Sequence, residues 1–96
     1  MKTEEAREVA EVKLRRLRAL PYDDLVDRLL GRAEHDDVIG ETGVQYQVEM
    51  MGHWDDRRHG HLRVSVSVDD GGWRTFAPLS ISFIVAPDGA LIDEGE

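Results

Sequence analysis

Cysteine is absent from this 96-residue chain, which excludes disulfides, thiolate nucleophiles and Cys-ligated zinc or iron–sulfur centres. Aromatic residues are scarce at 6% and there are three prolines, so any core must be built largely from aliphatic side chains. No long apolar run occurs either. The longest, Phe83-Ile84-Val85-Ala86, is four residues, far short of the ~20 that a membrane-spanning helix needs. The N-terminal stretch Met-Lys-Thr-Glu-Glu-Ala-Arg-Glu lacks the apolar segment of a signal peptide. A cytoplasmic protein is expected, one that neither crosses nor binds a membrane.

Positive charge is also in short supply beyond the N-terminal region. The formal net charge is −8, unevenly placed. Residues 1–20 carry six Lys/Arg against four Glu, a balance of +2, whereas residues 21–96 carry six Arg against sixteen acids, a balance of −10. An acidic body repels phosphate backbones, so nucleic acid is not an expected partner, and a basic protein suits it better.

What is present fits one folded domain spanning 1–96. The 41% apolar content is enough for a single core in a chain of this length. Residues 3–20 form an amphipathic helical pattern in which Ala6, Val9, Ala10, Leu14, Leu17 and Leu20 share a stripe, with Val12 and Ala19 off it. Thr3 suits the N-cap. Glu4, Glu5, Glu8 and Glu11 precede Lys13, Arg15, Arg16 and Arg18, an order that complements the helix macrodipole. That order reads the basic end as a solvated helix terminus before it reads it as a patch for an anionic partner. Pro21 interrupts the pattern and suits the start of a second helix over 21–31, with Gly31 as its stop. A kinked continuation of the first helix is the alternative.

Beyond Gly31 the period changes to two, which predicts four strands near 35–39, 44–54, 62–68 and 73–85. Val44, Tyr46, Val48 and Met50 alternate with Gln45, Gln47 and Glu49; Leu62, Val64, Val66 and Val68 alternate with Arg63, Ser65 and Ser67. Glycine-bearing turns separate the segments at 40–43 and 69–72. The expected fold is α+β, with two helices on one face of a four-stranded antiparallel meander. Pro78 cannot donate to a ladder, which makes the last strand an edge and suggests a bulge there. Phe76 and Ile84 fall on the nominally wet face. Either the bulge turns Phe76 inward, or these two join Met51 in an exposed apolar patch suited to a partner or a dimer.

The run Asp69-Asp70-Gly71-Gly72-Trp73-Arg74, then Pro78-Leu79, Ser82-Phe83-Ile84 and Ala86-Pro87-Asp88-Gly89, resembles the C-terminal half of small bacterial proteins grouped as a domain of unknown function. Leu20-Pro21-Tyr22-Asp23-Asp24-Leu25 and Trp54-Asp55-Asp56-Arg57 extend the likeness to about residues 20–90. The resemblance implies a bacterial source and supports the fold. It brings no catalytic residue with it.

Metal-type ligands gather only in the loop His53-Trp54-Asp55-Asp56-Arg57-Arg58-His59-Gly60-His61. His53, His59 and His61 are candidate ligands for zinc, nickel or copper, but the spacing follows no established motif and two arginines sit among them. Asp69-Asp70-Gly71-Gly72 has too few carboxylates for calcium, and no helix follows it to cradle phosphate. Trp54, Trp73 and Arg74 would form a binding surface if the indoles are exposed; otherwise each tryptophan closes one end of the core.

Neither a G-x-S-x-G, an H-E-x-x-H nor a Walker pattern occurs, so no enzyme and no cofactor is expected. Three readings remain. The first is a non-enzymatic module binding a basic protein, of immunity or antitoxin type, through Trp54, Trp73, Arg74, Phe76 and Ile84. The others are a metal-binding protein and a self-associating module. The chain itself is expected to be a monomer or weak homodimer.

Overall fold

In the computed structural model, residues 3–55, 60–71 and 79–92 are described. Helix α1 spans Thr3–Arg18 and buries Ala6, Ala10, Leu14 and Leu17, four of the six stripe residues; Val12, off the stripe, is exposed. The helix stops short of residue 20 because Pro21 holds the chain extended, with φ −61° and ψ 152°. Helix α2, Tyr22–Leu29, is therefore a separate element and not a continuation. It ends two residues earlier than the pattern predicts. Leu30 is already extended and forms a parallel bridge with Gly52, while the Gly31 N–H donates to the Gly52 carbonyl at 3.2 Å. Contact with the sheet, not the glycine alone, stops the helix.

Five strands follow: β1 Ala33–Ile39, β2 Gln45–Trp54, β3 Leu62–Asp69, β4 Leu79–Val85 and β5 Leu91–Ile92. They form one antiparallel sheet in the order β1-β2-β3-β4-β5. The meander and the α+β class are as expected, but five strands are present among the described residues and β1 begins two residues earlier. The end of β4 is consequently not an edge, since Ile84 pairs with Ile92 and Val85 with Leu91. Residues 73–78, including the proposed bulge at Pro78, lie outside the described residues.

Two hairpins close in the same way. The Gly40 N–H donates to the Val44 carbonyl at 2.8 Å and the Gly43 N–H to the Gly40 carbonyl at 2.9 Å; Ala86, Gly89 and Ala90 repeat the arrangement. Each puts a glycine with positive φ (Gly43 at +88°, Gly89 at +90°) at the last loop position, where a side chain is strained.

The inner face packs Tyr46, Val48 and Met50 of β2, Leu62, Val64, Val66 and Val68 of β3, and Phe83 and Val85 of β4 against both helices. Alternation alone places these residues there. Gly52 admits α2 to this face: a Cβ at Gly52 would lie 3.3 Å from the Leu29 Cβ and 3.4 Å from the Leu62 Cδ1.

Candidate functional site

Among the described residues the opposite face of the sheet carries no helix, and its rows follow from the register. Asp37, Gln47 and Asp69 stand side by side. Next come His35, Glu49, Ser67 and Ser80, then Ala33, Met51, Ser65 and Ser82. The last row is His53, Arg63, Ile84 and Ile92. Cross-strand bonds knit these rows together. His35 Nε2 lies 3.1 Å from Glu49 Oε2, the Ser67 and Ser80 hydroxyls are 2.8 Å apart, and the Arg63 guanidinium donates to Ser82 Oγ at 3.0 Å. At the β1–β3 end the face dips into a concavity of about 420 Å³, lined among others by His35, Asp37, Gln47, Glu49 and Asp69. Three carboxylates around one depression make a surface of negative potential.

The inner positions of β1 obey a different rule. Glu34 and Asp36 pair with Met50 and Val48 and so stand on the helix side of the sheet, where an apolar residue is expected. Helix cations meet them there. Arg28 of α2 donates from Nη2 and Nε to the two Glu34 oxygens at 2.8 and 3.1 Å, and Lys13 of α1 bonds Asp36. These bonds hold both carboxyls below the usual carboxylate range, chiefly through the hydrogen bond from each cation. The Arg18 guanidinium sits 6.0 Å from the Phe83 ring centre, within cation–π reach. Lys13 and Arg18 thus serve the fold, which leaves Arg15 and Arg16 of the basic helix end to solvent.

A second tether lies at the other end of α1. The Glu5 carboxylate accepts from the Thr42 N–H at 3.0 Å, the Thr42 hydroxyl at 2.6 Å and the Tyr46 hydroxyl at 2.7 Å. Gly40 gives it room, because a Cβ there would lie 2.5 Å from the Glu5 Cδ. Burial, reinforced by the bond to Glu5, pushes the Tyr46 hydroxyl up to about 12. The Tyr22 hydroxyl donates to the Gly60 carbonyl at 2.6 Å, tying α2 to the loop after β2; burial followed by the Asp23 charge raises its pKa. The glutamates of the first turn read as dipole partners from sequence. The role of Glu5 as a clamp on a turn 37 residues away has no local signal.

The residues singled out from sequence are scattered. Trp54 ends β2 opposite Leu62 and is 46% exposed. Ile84 corrects the exposed-patch expectation: it has the outer-face parity, yet is only 2% exposed between Arg63 and Ile92. The fifth strand, too short to stand out in the pattern, flanks it. Met51 is exposed as expected. Trp73, Arg74, Phe76 and His59 lie outside the described residues. His53 stands on the outer face opposite Arg63, a cation that opposes a dication there. His61 accepts at its carbonyl from the Asp55 N–H at 2.8 Å, and its Nδ1 is buried without a hydrogen-bond partner. Among the described residues no three His, Asp or Glu side chains converge as a metal site. The carboxylates of the concavity escaped notice because Asp37, Glu49 and Asp69 lie far apart in sequence and meet only through strand register.

No helix among the described residues is long and apolar enough to cross a membrane. Compared with protein-family models, curated proteins and solved structures, the chain matches none of them.

Proposed function

We propose that this chain is a non-enzymatic module that binds a basic protein partner on the uncovered outer face of its sheet, in the manner of an immunity protein or antitoxin. The observation that carries the reading is the carboxylate-rimmed concavity of about 420 Å³ formed by Asp37, Glu49 and Asp69, on a body whose charge excess is acidic. Such a face attracts a basic surface over several ångströms and fixes its orientation through complementary potential. Trp54, half exposed at the far end of β2, has the inner-face parity of its partner Leu62 and so stands apart from this surface. The same reading makes the free chain a monomer or weak homodimer in the bacterial cytoplasm. The resemblance to bacterial proteins assigns no role to any residue.

The test begins with cross-linking and affinity capture from the organism that makes the protein, at low and moderate salt. Reconstitution with the purified partner follows. Replacing Asp37, Glu49 and Asp69 together by lysine should weaken the complex at least about tenfold, and added salt should mimic part of the loss. A stoichiometric partner indifferent to both changes would sink the electrostatic face, and failure to recover any partner would sink the reading.

A further inference from the structure

Strand β1 is the exposed end of the sheet. It is seven residues long and pairs only with β2 among the described residues. The hairpin bond from the Gly40 N–H to the Val44 carbonyl sets which backbone groups face outward. Hydrogen-bonded and non-hydrogen-bonded pairs alternate in an antiparallel ladder. With Ile39 opposite Gln45 and Val38 opposite Tyr46, the N–H groups of Val38, Asp36 and Glu34 point to β2. Those of His35, Asp37 and Ile39 point away from it. The Asp37 N–H confirms the assignment, since it donates to the neighbouring Asp36 Oδ1 at 2.9 Å rather than to β2.

Beside this edge runs a groove of about 270 Å³ between α1 and the end of β1, walled by Val9, Val12, Val38 and Ile39 and lined also by Glu8, Glu41, Arg16 and Lys13, of which Lys13 is bonded to Asp36. Val12 is 40% and Ile39 73% exposed. Two apolar side chains are therefore open to solvent next to unpaired strand donors. Native sheets normally blunt such an edge with charge, and here Asp36 and Asp37 do so in part.

We infer that β1 accepts a partner's extended segment of alternating apolar and basic residues, added as a sixth antiparallel or parallel strand. This mode of binding rests on the reading of the chain as a protein-binding module and names the form its partner takes. Side chains on the helix side of the added strand would enter the groove against Val9 and Val12. Those on the other side would meet Asp37, while Glu8 and Glu41 rim the approach; none of the three forms an ion pair among the described residues. The backbone would supply donors and acceptors to His35 and Ile39, as in other strand additions. On docking, the Asp37 N–H exchanges its local Asp36 acceptor for a carbonyl. A second copy of this chain is a poor occupant, because two β1 edges would bring Asp36 and Asp37 against their own equivalents, and like charges on facing strands destabilise pairing.

The experiment uses the full chain and a synthetic peptide, acetyl-Lys-Val-Lys-Val-Thr-Val-Lys-amide, read by amide hydrogen exchange and NMR shifts. At nine-tenths occupancy the His35 and Ile39 amides should exchange about tenfold more slowly. The same peptide N-methylated on the backbone of its lysines and valines alike, or with glutamate in place of lysine, should give no protection. His35→Pro removes an outward N–H, which an edge tolerates, together with the exposed imidazole contact to Glu49, and should abolish the effect on Ile39 while leaving the β1–β2 backbone ladder intact. The N-methyl control serves equally if that variant fails to fold. Binding that shifts Gln47, Glu49 and Asp69 without protecting His35 and Ile39 would overturn strand addition and leave a basic partner on the outer face standing. Equal protection by the lysine and glutamate peptides, or protection that grows with protein concentration alone, would also overturn it. So would absence of peptide binding at millimolar concentration, with the partner reading then decided by capture and reconstitution.

Discussion

Strands β3 and β1 solve the same problem in opposite ways. In β3 the inward positions Leu62, Val64, Val66 and Val68 are fully buried, between β2 and β4 and beneath the helices. In β1 the inward positions include Glu34 and Asp36, each held by a cation from one helix. A central strand has neighbours on both sides and a helix above, so removal of apolar area from water secures it. An edge strand has one neighbour and cannot bury enough. Hydrogen-bonded tethers fix its place instead, and its carboxylates keep the edge from pairing indiscriminately.

Substitution in the middle of β3 gives the largest test of this contrast. Val66→Asp buries an unpaired charge and should cost more than about 4 kcal/mol, enough to unfold the domain in urea titrations. Ser65→Asp, its outward neighbour, should stay within roughly 1 kcal/mol. Equal losses would mean that the two faces are misassigned.

The clamp at Glu5 comes next. Glu5→Ala leaves the Tyr46 hydroxyl buried without its acceptor and frees the 40–43 turn, an expected loss of roughly 2–3 kcal/mol. The same contact has an alkaline signature. The Tyr46 pKa is raised in the folded state to about 12 from an ordinary 10, so the unfolded chain loses the proton first. Stability should be intact below pH 10 and fall as pH climbs towards 12. A urea midpoint unchanged across that interval would contradict the buried Tyr46–Glu5 pair.

At the junction of α2 with the sheet, Gly52→Ala inserts a methyl 3.3 Å from the Leu29 Cβ. Overpacking of this kind should cost about 1–2 kcal/mol, measurable by thermal denaturation. A neutral or stabilising outcome would show that α2 can lift away from β2.

The β1 ion pairs should give the smallest effect. Arg28→Ala removes an exposed pair with Glu34, and about 0.5 kcal/mol or less is expected, shrinking with added salt. Because the Glu34 and Asp36 carboxyls are lowered from ordinary values of 4.5 and 3.8, their contribution is present above those values and lost as pH falls through the folded ones. A larger loss, or one insensitive to salt, would make β1 resemble β3 energetically.

Much of the fold was open to local reading. The stripe of α1, the turns at Gly43 and Gly89 and the alternation of β2 and β3 are each decided within a window of a few residues, where side-chain period and φ preference operate. Residues of β1 were harder to read, because Glu34-His35-Asp36-Asp37 carries no apolar alternation and owes its pairing to β2 and the helices. Strand β5 is two residues long and has no period at all. The candidate surface was hidden for a related reason. Tryptophans and histidines stand out in a sequence, whereas Asp37, Glu49 and Asp69 are unremarkable acids until the register places them around one depression.

Sequence alone thus determined the class of the fold, the inner face of its central strands, the separation of charge between α1 and the body, and the lack of thiol chemistry. These properties depend on composition and short-range periodicity. Tertiary structure decided where the cations of the helices are used, why Gly40 and Gly52 must be small, that Ile84 is buried and that β1 pairs only with β2 among the described residues. Each of these depends on groups distant in the chain coming within a few ångströms, and that proximity is a property of packing and strand register.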